Sequence, residues 1–174
     1  AAWQPVSRYV ERPGPPASAN PLIPTLDLAK SHQRPAMRKI TPELLCSDLS
    51  TTRDFYVRTL GFAVLYERAA ETFIYLSLEG ADLMIEQVNG PGRRWITGEL
   101  ERPFGRGLNL QIEVEDVTGL YARVSREAAK FIYVPLEEKT YQCGDNSVLT
   151  KQFVVQDPDG YLLRFAQDTA SSPH

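Results

Sequence analysis

The stretch Ser47-Asp48-Leu49-Ser50-Thr51-Thr52-Arg53-Asp54-Phe55-Tyr56-Val57-Arg58-Thr59-Leu60-Gly61-Phe62 decides the fold. Asp48 and Ser50 offer N-cap oxygens to a helix over 50–60, because a short polar side chain can accept from the free N–H groups of a first turn. Phe55, Tyr56 and Leu60 form the apolar stripe of that helix, and Gly61 supplies a left-handed stop. Upstream, 39–46 reads as a strand with Ile40, Leu44 and Cys46 on one face. Downstream, strands follow over 62–66, 72–78 and 81–88, the last two joined by a turn at Glu79-Gly80.

The same plan recurs in the second half. A strand over 108–114 leads to Asp116, which stands where Asp48 stood, and then to a helix over 117–129. A short strand at 131–134, a polar loop over 135–146 and a hairpin of 148–155 with 161–166 complete the unit. The hairpin turns at Asp157-Pro158-Asp159-Gly160. Superposing Asp48 on Asp116 puts Leu44 on Ile112 and Cys46 on Val114. In the closing strands 83–86 falls on 161–164, and so Glu86 on Arg164. Two βαβββ modules, 39–88 and 107–168, are the simplest account, joined by a long loop over 89–106 rich in glycine, proline and arginine. The class is α+β.

The chain has 174 residues and a net charge of −3, which argues against a general nucleic-acid binder. No apolar run approaches the roughly 20 residues of a membrane helix. The charge is unevenly spread, with +4 over 1–39 and −7 over 40–174. Seven of the 13 prolines lie before residue 36, which forbids a long helix there. Residues 1–38 are therefore expected to be an extended, basic arm, 39–168 the folded domain and 169–174 a tail. Met37 stands just before the first strand as a candidate start, which would make 1–36 foreign to the natural protein. Cys46 and Cys143, far apart in sequence, read as free thiols in a reducing compartment, here the cytoplasm.

The runs Ser47-Asp48-Leu49, Asp54-Phe55-Tyr56 and Leu60-Gly61-Phe62, with the closing Asp157-Pro158-Asp159-Gly160-Tyr161, resemble the vicinal oxygen chelate (glyoxalase/bleomycin-resistance/dioxygenase) superfamily. The similarity covers about 40–168. It implies paired βαβββ modules forming a cupped, incomplete barrel, in a homodimer. Enzymes of that superfamily hold a divalent ion with His and Glu side chains from the first and last strands of each module. The resemblance places those positions at Thr41, Glu86, Asn109 and Arg164, of which Glu86 alone is a competent ligand. Arg164 would put a permanent cation where the ion should sit. No metal or other cofactor is expected, and Glu86 is expected to pair with Arg164 across the cup.

Loss of the metal resembles the bleomycin-resistance branch, as do Thr41-Pro42-Glu43-Leu44 and Asp82-Leu83-Met84-Ile85-Glu86. The branch implies a non-catalytic, metal-independent protein that sequesters an aromatic ligand, cationic antibiotics included, in a cleft between two subunits. The expected ligand-binding residues are Phe73, Tyr75, Glu86, Trp95, Phe104, Asn109, Gln111, Tyr141 and Arg164. The expected partners are a small molecule and a second copy, with neither nucleic acid nor membrane. The alternative is a lyase or isomerase of the same superfamily with a relocated or absent metal. Cys46 lacks a nearby base for nucleophilic work, Cys143 reads as the more exposed thiol, and Arg102 and Arg106 read as a solvated loop.

Overall fold

The Asp48 carboxylate accepts from the Thr51 N–H at 2.7 Å, and Asp116 accepts from the Gly119 N–H at 2.8 Å, so both helices start where the capping residues require. The computed structural model describes residues 40–173, with side chains through Asp168. The expected arm over 1–38 lies outside the described residues. The first module comprises β1 (Glu43–Cys46), α1 (Leu49–Asp54), β2 (Ala63–Arg68), β3 (Phe73–Leu78) and β4 (Ala81–Gln87). The second comprises β5 (Asn109–Glu113), α2 (Val117–Ala128), β6 (Ile132–Cys143), β7 (Asn146–Gln156) and β8 (Leu162–Pro173).

Each module folds its strands into one four-stranded mixed sheet, β1-β4-β3-β2 and β5-β8-β7-β6. The first strand of each module runs parallel to the last, and the remaining pairs are antiparallel. The sheets are open, and the expected pair of βαβββ modules is present. One face of each sheet carries the apolar alternation. Leu44, Cys46, Leu83 and Ile85 of the first sheet join Ile112, Phe153, Leu163 and Phe165 of the second, with Phe55, Tyr56, Val117 and Val124 from the helices, in one core cluster. The opposite faces are thereby left to other work.

The closing turn joins the modules. Asp157 Oδ1 accepts from the N–H groups of Asp159, Gly160 and Tyr161 at 2.8–2.9 Å, while Oδ2 accepts from the buried Tyr56 hydroxyl at 3.0 Å. Asp159 Oδ2 accepts from the Ser47 N–H, and its Oδ1 from Arg102 at 2.6 Å. The 89–106 connection reaches this turn too, since the Phe104 N–H donates to the Asp159 carbonyl. Gly105 packs so near that a Cβ there would lie 2.7 Å from Tyr161 Cα. Arg102, expected in a solvated loop, is instead the ionic partner of a carboxylate that is 1 % exposed.

Several boundaries differ from the sequence reading, each for a local reason. Ile40 is 82 % exposed and not on the core face, because the β1 ladder begins only where Met84 N–H meets the Pro42 carbonyl. After α1 the helix over 50–60 widens into a π-helical segment, Phe55–Leu60, which buries Phe55, Tyr56 and Leu60 together before Gly61 turns left-handed at φ 87°. Residues 135–143, expected as loop, continue β6. Pro135 lacks an N–H, so it interrupts the ladder as a shift in register rather than ending the strand. Over 137–143 both faces are largely exposed, which erases the period-2 signal there. β8 likewise runs past Ala166 to Pro173, paired with β7, so the expected 169–174 tail is strand through Pro173.

The ladders also revise the superposition of the modules. Leu44 pairs with Ile85, and its counterpart Ile112 pairs with Phe165. The closing strands therefore match two residues further on than the sequence superposition had them. Met84 is the counterpart of Arg164, and Glu86 that of Ala166.

Candidate functional site

Strand alternation puts Phe73, Tyr75, Asp82, Met84 and Glu86 on the face of the first sheet turned away from the helices, since Ile74, Leu76, Leu83 and Ile85 are in the core. Tyr66 joins them from β2, its ring stacked on Tyr75 at 5.1 Å and on Phe73 at 6.0 Å between centroids. The Arg68 guanidinium lies 3.7 Å from the Phe73 ring centroid. The Tyr75 hydroxyl donates to Asp82 Oδ2 at 3.2 Å and meets Thr41 Oγ1 at 3.4 Å. The result is an aromatic floor with Phe73 sealed beneath and Tyr66 half-exposed on top.

Glu86 ends this face as a buried carboxylate, 2 % exposed. Its Oε1 has no hydrogen-bond partner, and Arg94 Nη1 stands 3.9 Å away. The same Arg94 nitrogen donates to the Gln87 and Gly90 carbonyls, and the Gly92 backbone lies so close that a Cβ there would collide with Glu86 Oε1. Desolvation, reinforced by Glu43, pushes the Glu86 carboxyl above its ordinary value, while Arg94 and Arg68 oppose the shift.

The open face of the second sheet carries Gln111, Thr150, Gln152 and Arg164. With Tyr141 they line a cavity of about 350 Å³. Arg164 Nη2 donates to Gln111 Oε1, and Nη1 lies 3.5 Å from the Tyr141 hydroxyl. That hydroxyl rests against the Gln152 amide, 2.8 Å from Nε2 and 3.1 Å from Oε1. Gln152 Nε2 also donates to Glu137 Oε1 at 2.9 Å, which fixes the direction of the amide.

Of the nine residues singled out from sequence, Gln111, Tyr141 and Arg164 are thus brought together on one sheet, and Phe73, Tyr75 and Glu86 on the other. Three stand apart. Trp95 is 73 % exposed, with the Arg93 guanidinium 4.1 Å from its ring centroid. Phe104 packs against the helix-side core. Asn109 lines a separate depression with Leu108, Tyr133 and Leu162. The expected Glu86–Arg164 ion pair is not formed, because each side chain finds another neighbour, Arg94 of the loop after β4 for one and Gln111 of β5 for the other. Sequence reading missed Tyr66, Arg94 and Gln152. The alternation Thr150-Lys151-Gln152-Phe153-Val154-Val155 was the available signal for Gln152, while Arg94 sits in an irregular loop with no period to expose it.

The four positions that the resemblance assigned to a divalent ion do not suit one. Thr41 contacts Tyr75, Asn109 belongs to the other depression, Arg164 is a cation and Glu86 already faces Arg94. Among the described residues no three His, Cys, Asp or Glu side chains converge as a metal site. Cys46 is buried and its thiol is pushed up to about 12, chiefly by desolvation, whereas Cys143 is exposed.

The family model of the Glyoxalase/Bleomycin resistance protein/Dioxygenase superfamily matches residues 39–165. The chain therefore belongs to that superfamily. Among solved structures it is similar to a superfamily member from Vibrio splendidus 12B01, with 46 % identity over 73 % of this chain and 95 % of that one, at a TM-score of 0.36. It is also similar to TioX from Micromonospora sp. ML1, with 23 % identity over 75 % and 98 % of the two chains and a TM-score of 0.58. A third is the virulence protein STM3117 from Salmonella typhimurium, with 19 % identity over 77 % and 98 % and a TM-score of 0.57. No curated protein matches. Among the described residues no helix is long and apolar enough to cross a membrane.

Proposed function

We propose that this protein is a metal-independent small-molecule binder of the bleomycin-resistance type, which holds an aromatic ligand against the open sheet faces in a cleft completed by a second copy. The observation that carries the reading is the stack of Tyr66 on Tyr75, standing away from the core with Tyr66 39 % exposed. An exposed, pre-stacked ring offers a planar ligand contact area at low entropic cost. Sequestration needs affinity and no transition-state chemistry, and a reducing, cytoplasmic setting suits the two free cysteines.

One observation favours a second reading, a lyase or isomerase of the superfamily. Glu86 is buried beside an arginine, has one oxygen unpaired and holds its proton more readily than an ordinary carboxylate, as a general base does.

Calorimetric titration of the metal-stripped protein with bleomycin, with zinc and nickel as controls, separates these readings. Saturable drug binding near one site per protomer, without metal heat, supports sequestration. Tight metal binding without drug binding overturns it in favour of the enzyme. Analytical ultracentrifugation tests the second copy, and a monomer at all concentrations removes the dimer cleft.

A further inference from the structure

We propose that the cavity on the second sheet is a seat for a carboxylate, built from Arg164, Gln111 and Tyr141, and that the ligand is consequently an aromatic acid. This rests on reading the open faces as the ligand-binding surface and extends it from ring to head group.

Arg164 lies at mid-strand between the buried Leu163 and Phe165, so alternation holds its side chain on the open face. Its guanidinium is always charged, yet among the described residues no carboxylate lies within ion-pair distance of it. Other arginines of this protein do find such partners, Arg53 with Glu67 and Arg106 with Glu101. Among the described residues Arg164 contacts neutral groups, Gln111 Oε1 and, at 3.5 Å, the Tyr141 hydroxyl, and its Nε is buried without an acceptor. The buried Nε–H without an acceptor carries an uncompensated cost that an entering anion would remove. The planar fork of donors matches a carboxylate better than a halide or a neutral carbonyl.

The neighbours support the same occupant. The Tyr141 hydroxyl, 2.8 Å from Gln152 Nε2 and 3.1 Å from Gln152 Oε1, can turn its proton from that oxygen to an entering anion. Glu137 holds Gln152 in that orientation. The nearest carboxylate of the cavity wall, Asp168, is engaged by the Thr150 hydroxyl at 2.7 Å. It lies four residues along β8, about 13 Å at the strand rise. A volume of about 350 Å³ suits a single-ring acid.

The test uses benzoate against benzamide, its uncharged isostere, titrated into the full-length protein by calorimetry. The expected result is that benzoate binds at least ~10-fold more tightly than benzamide, that the advantage shrinks with added salt, and that Arg164→Met removes it. Equal affinity of the two compounds, an advantage that survives Arg164→Met, or no saturable benzoate binding overturns the seat. Should the variant not fold, the Arg164 Nε–H resonance of the wild-type protein decides. A shift with benzoate but not with benzamide supports the seat, and an unmoved resonance overturns it. Equal binding of both ring compounds overturns the seat and leaves the aromatic-binding reading intact, and binding of neither overturns the seat while the bleomycin titration decides the aromatic-binding reading.

Discussion

The Tyr56 hydroxyl donates to Asp157 Oδ2 at 3.0 Å, both side chains buried, and so ties the first helix to the closing turn of the other module. Asp157 is already saturated on its other oxygen by three backbone N–H groups, which hold the turn's shape. The signature motif at 157–160 therefore acts as a mechanical joint between modules rather than as part of the open faces. Removing the hydroxyl leaves a buried carboxylate oxygen without its donor. Tyr56→Phe is expected to lose about 1–3 kcal/mol in urea unfolding. An unchanged midpoint would show that the joint does not depend on this bond.

Asp159 is the second pin of the joint. Its carboxylate is 1 % exposed and gathers Arg102, the Ser47 N–H and the Thr52 hydroxyl, whereas the Arg102 side chain is 58 % exposed. Asp159→Ala leaves the Ser47 N–H and the Thr52 hydroxyl without their acceptor, about 1–3 kcal/mol each, while the exposed Arg102 returns to water. Arg102→Ala leaves a carboxylate that still has two other donors, so its cost should be smaller. Thermal midpoints in the reverse order would contradict this account.

Cys46 makes stability sensitive to alkali. Its thiol is raised from 9.0 to about 12 in the folded protein, because burial disfavours the thiolate. Between those values the unfolded chain loses a proton that the folded one keeps, so stability falls as pH rises above about 9. The slope attributable to this group is about 1.4 kcal/mol per pH unit. Cys46→Ala should flatten the alkaline limb. In native protein near pH 8, a thiol reagent should label Cys143 alone, with Cys46 reacting only on unfolding. Two rapidly reacting thiols in the native state would contradict the buried placement.

Glu86 works in the same direction at lower pH. Its carboxyl is held above the ordinary 4.5, so the folded state favours the protonated form and loses relative stability as pH climbs from 4.5 through the folded value. Glu86→Gln should remove that decline and be no less stable than the parent at pH 7. A large loss at pH 7 would mean that the Arg94 contact outweighs the desolvation of Glu86. Comparing variant with parent across pH isolates Glu86 from Asp157, whose carboxyl burial also raises.

Gly92 tests how closely the 89–94 loop closes on that carboxylate. A Cβ there would collide with Glu86 Oε1, while Gly98 has open space around it. Gly92→Ala should lower the thermal midpoint and Gly98→Ala should leave it near the parent value. Equal midpoints would show that the loop does not rest on Glu86.

The amino-acid sequence by itself determined the order of elements, both helix starts, the Gly61 stop, the turn at Glu79-Gly80 and the core face. These features depend on neighbours a few residues apart, and capping oxygens, glycines and hydrophobic period announce them directly. It also singled out Gln111, Tyr141 and Arg164, which share one cavity, and Tyr75 and Glu86, which share the opposite sheet. The tertiary structure alone decided the partners. Any even shift of a strand preserves its inward and outward faces, so alternation could not distinguish Glu86 from Met84 as the counterpart of Arg164. Only the ladders, Leu44 to Ile85 and Ile112 to Phe165, set that register. The exposed length of β6 was hidden for a related reason: a strand with solvent on both faces has no hydrophobic period, and only its pairing with β7 defines it.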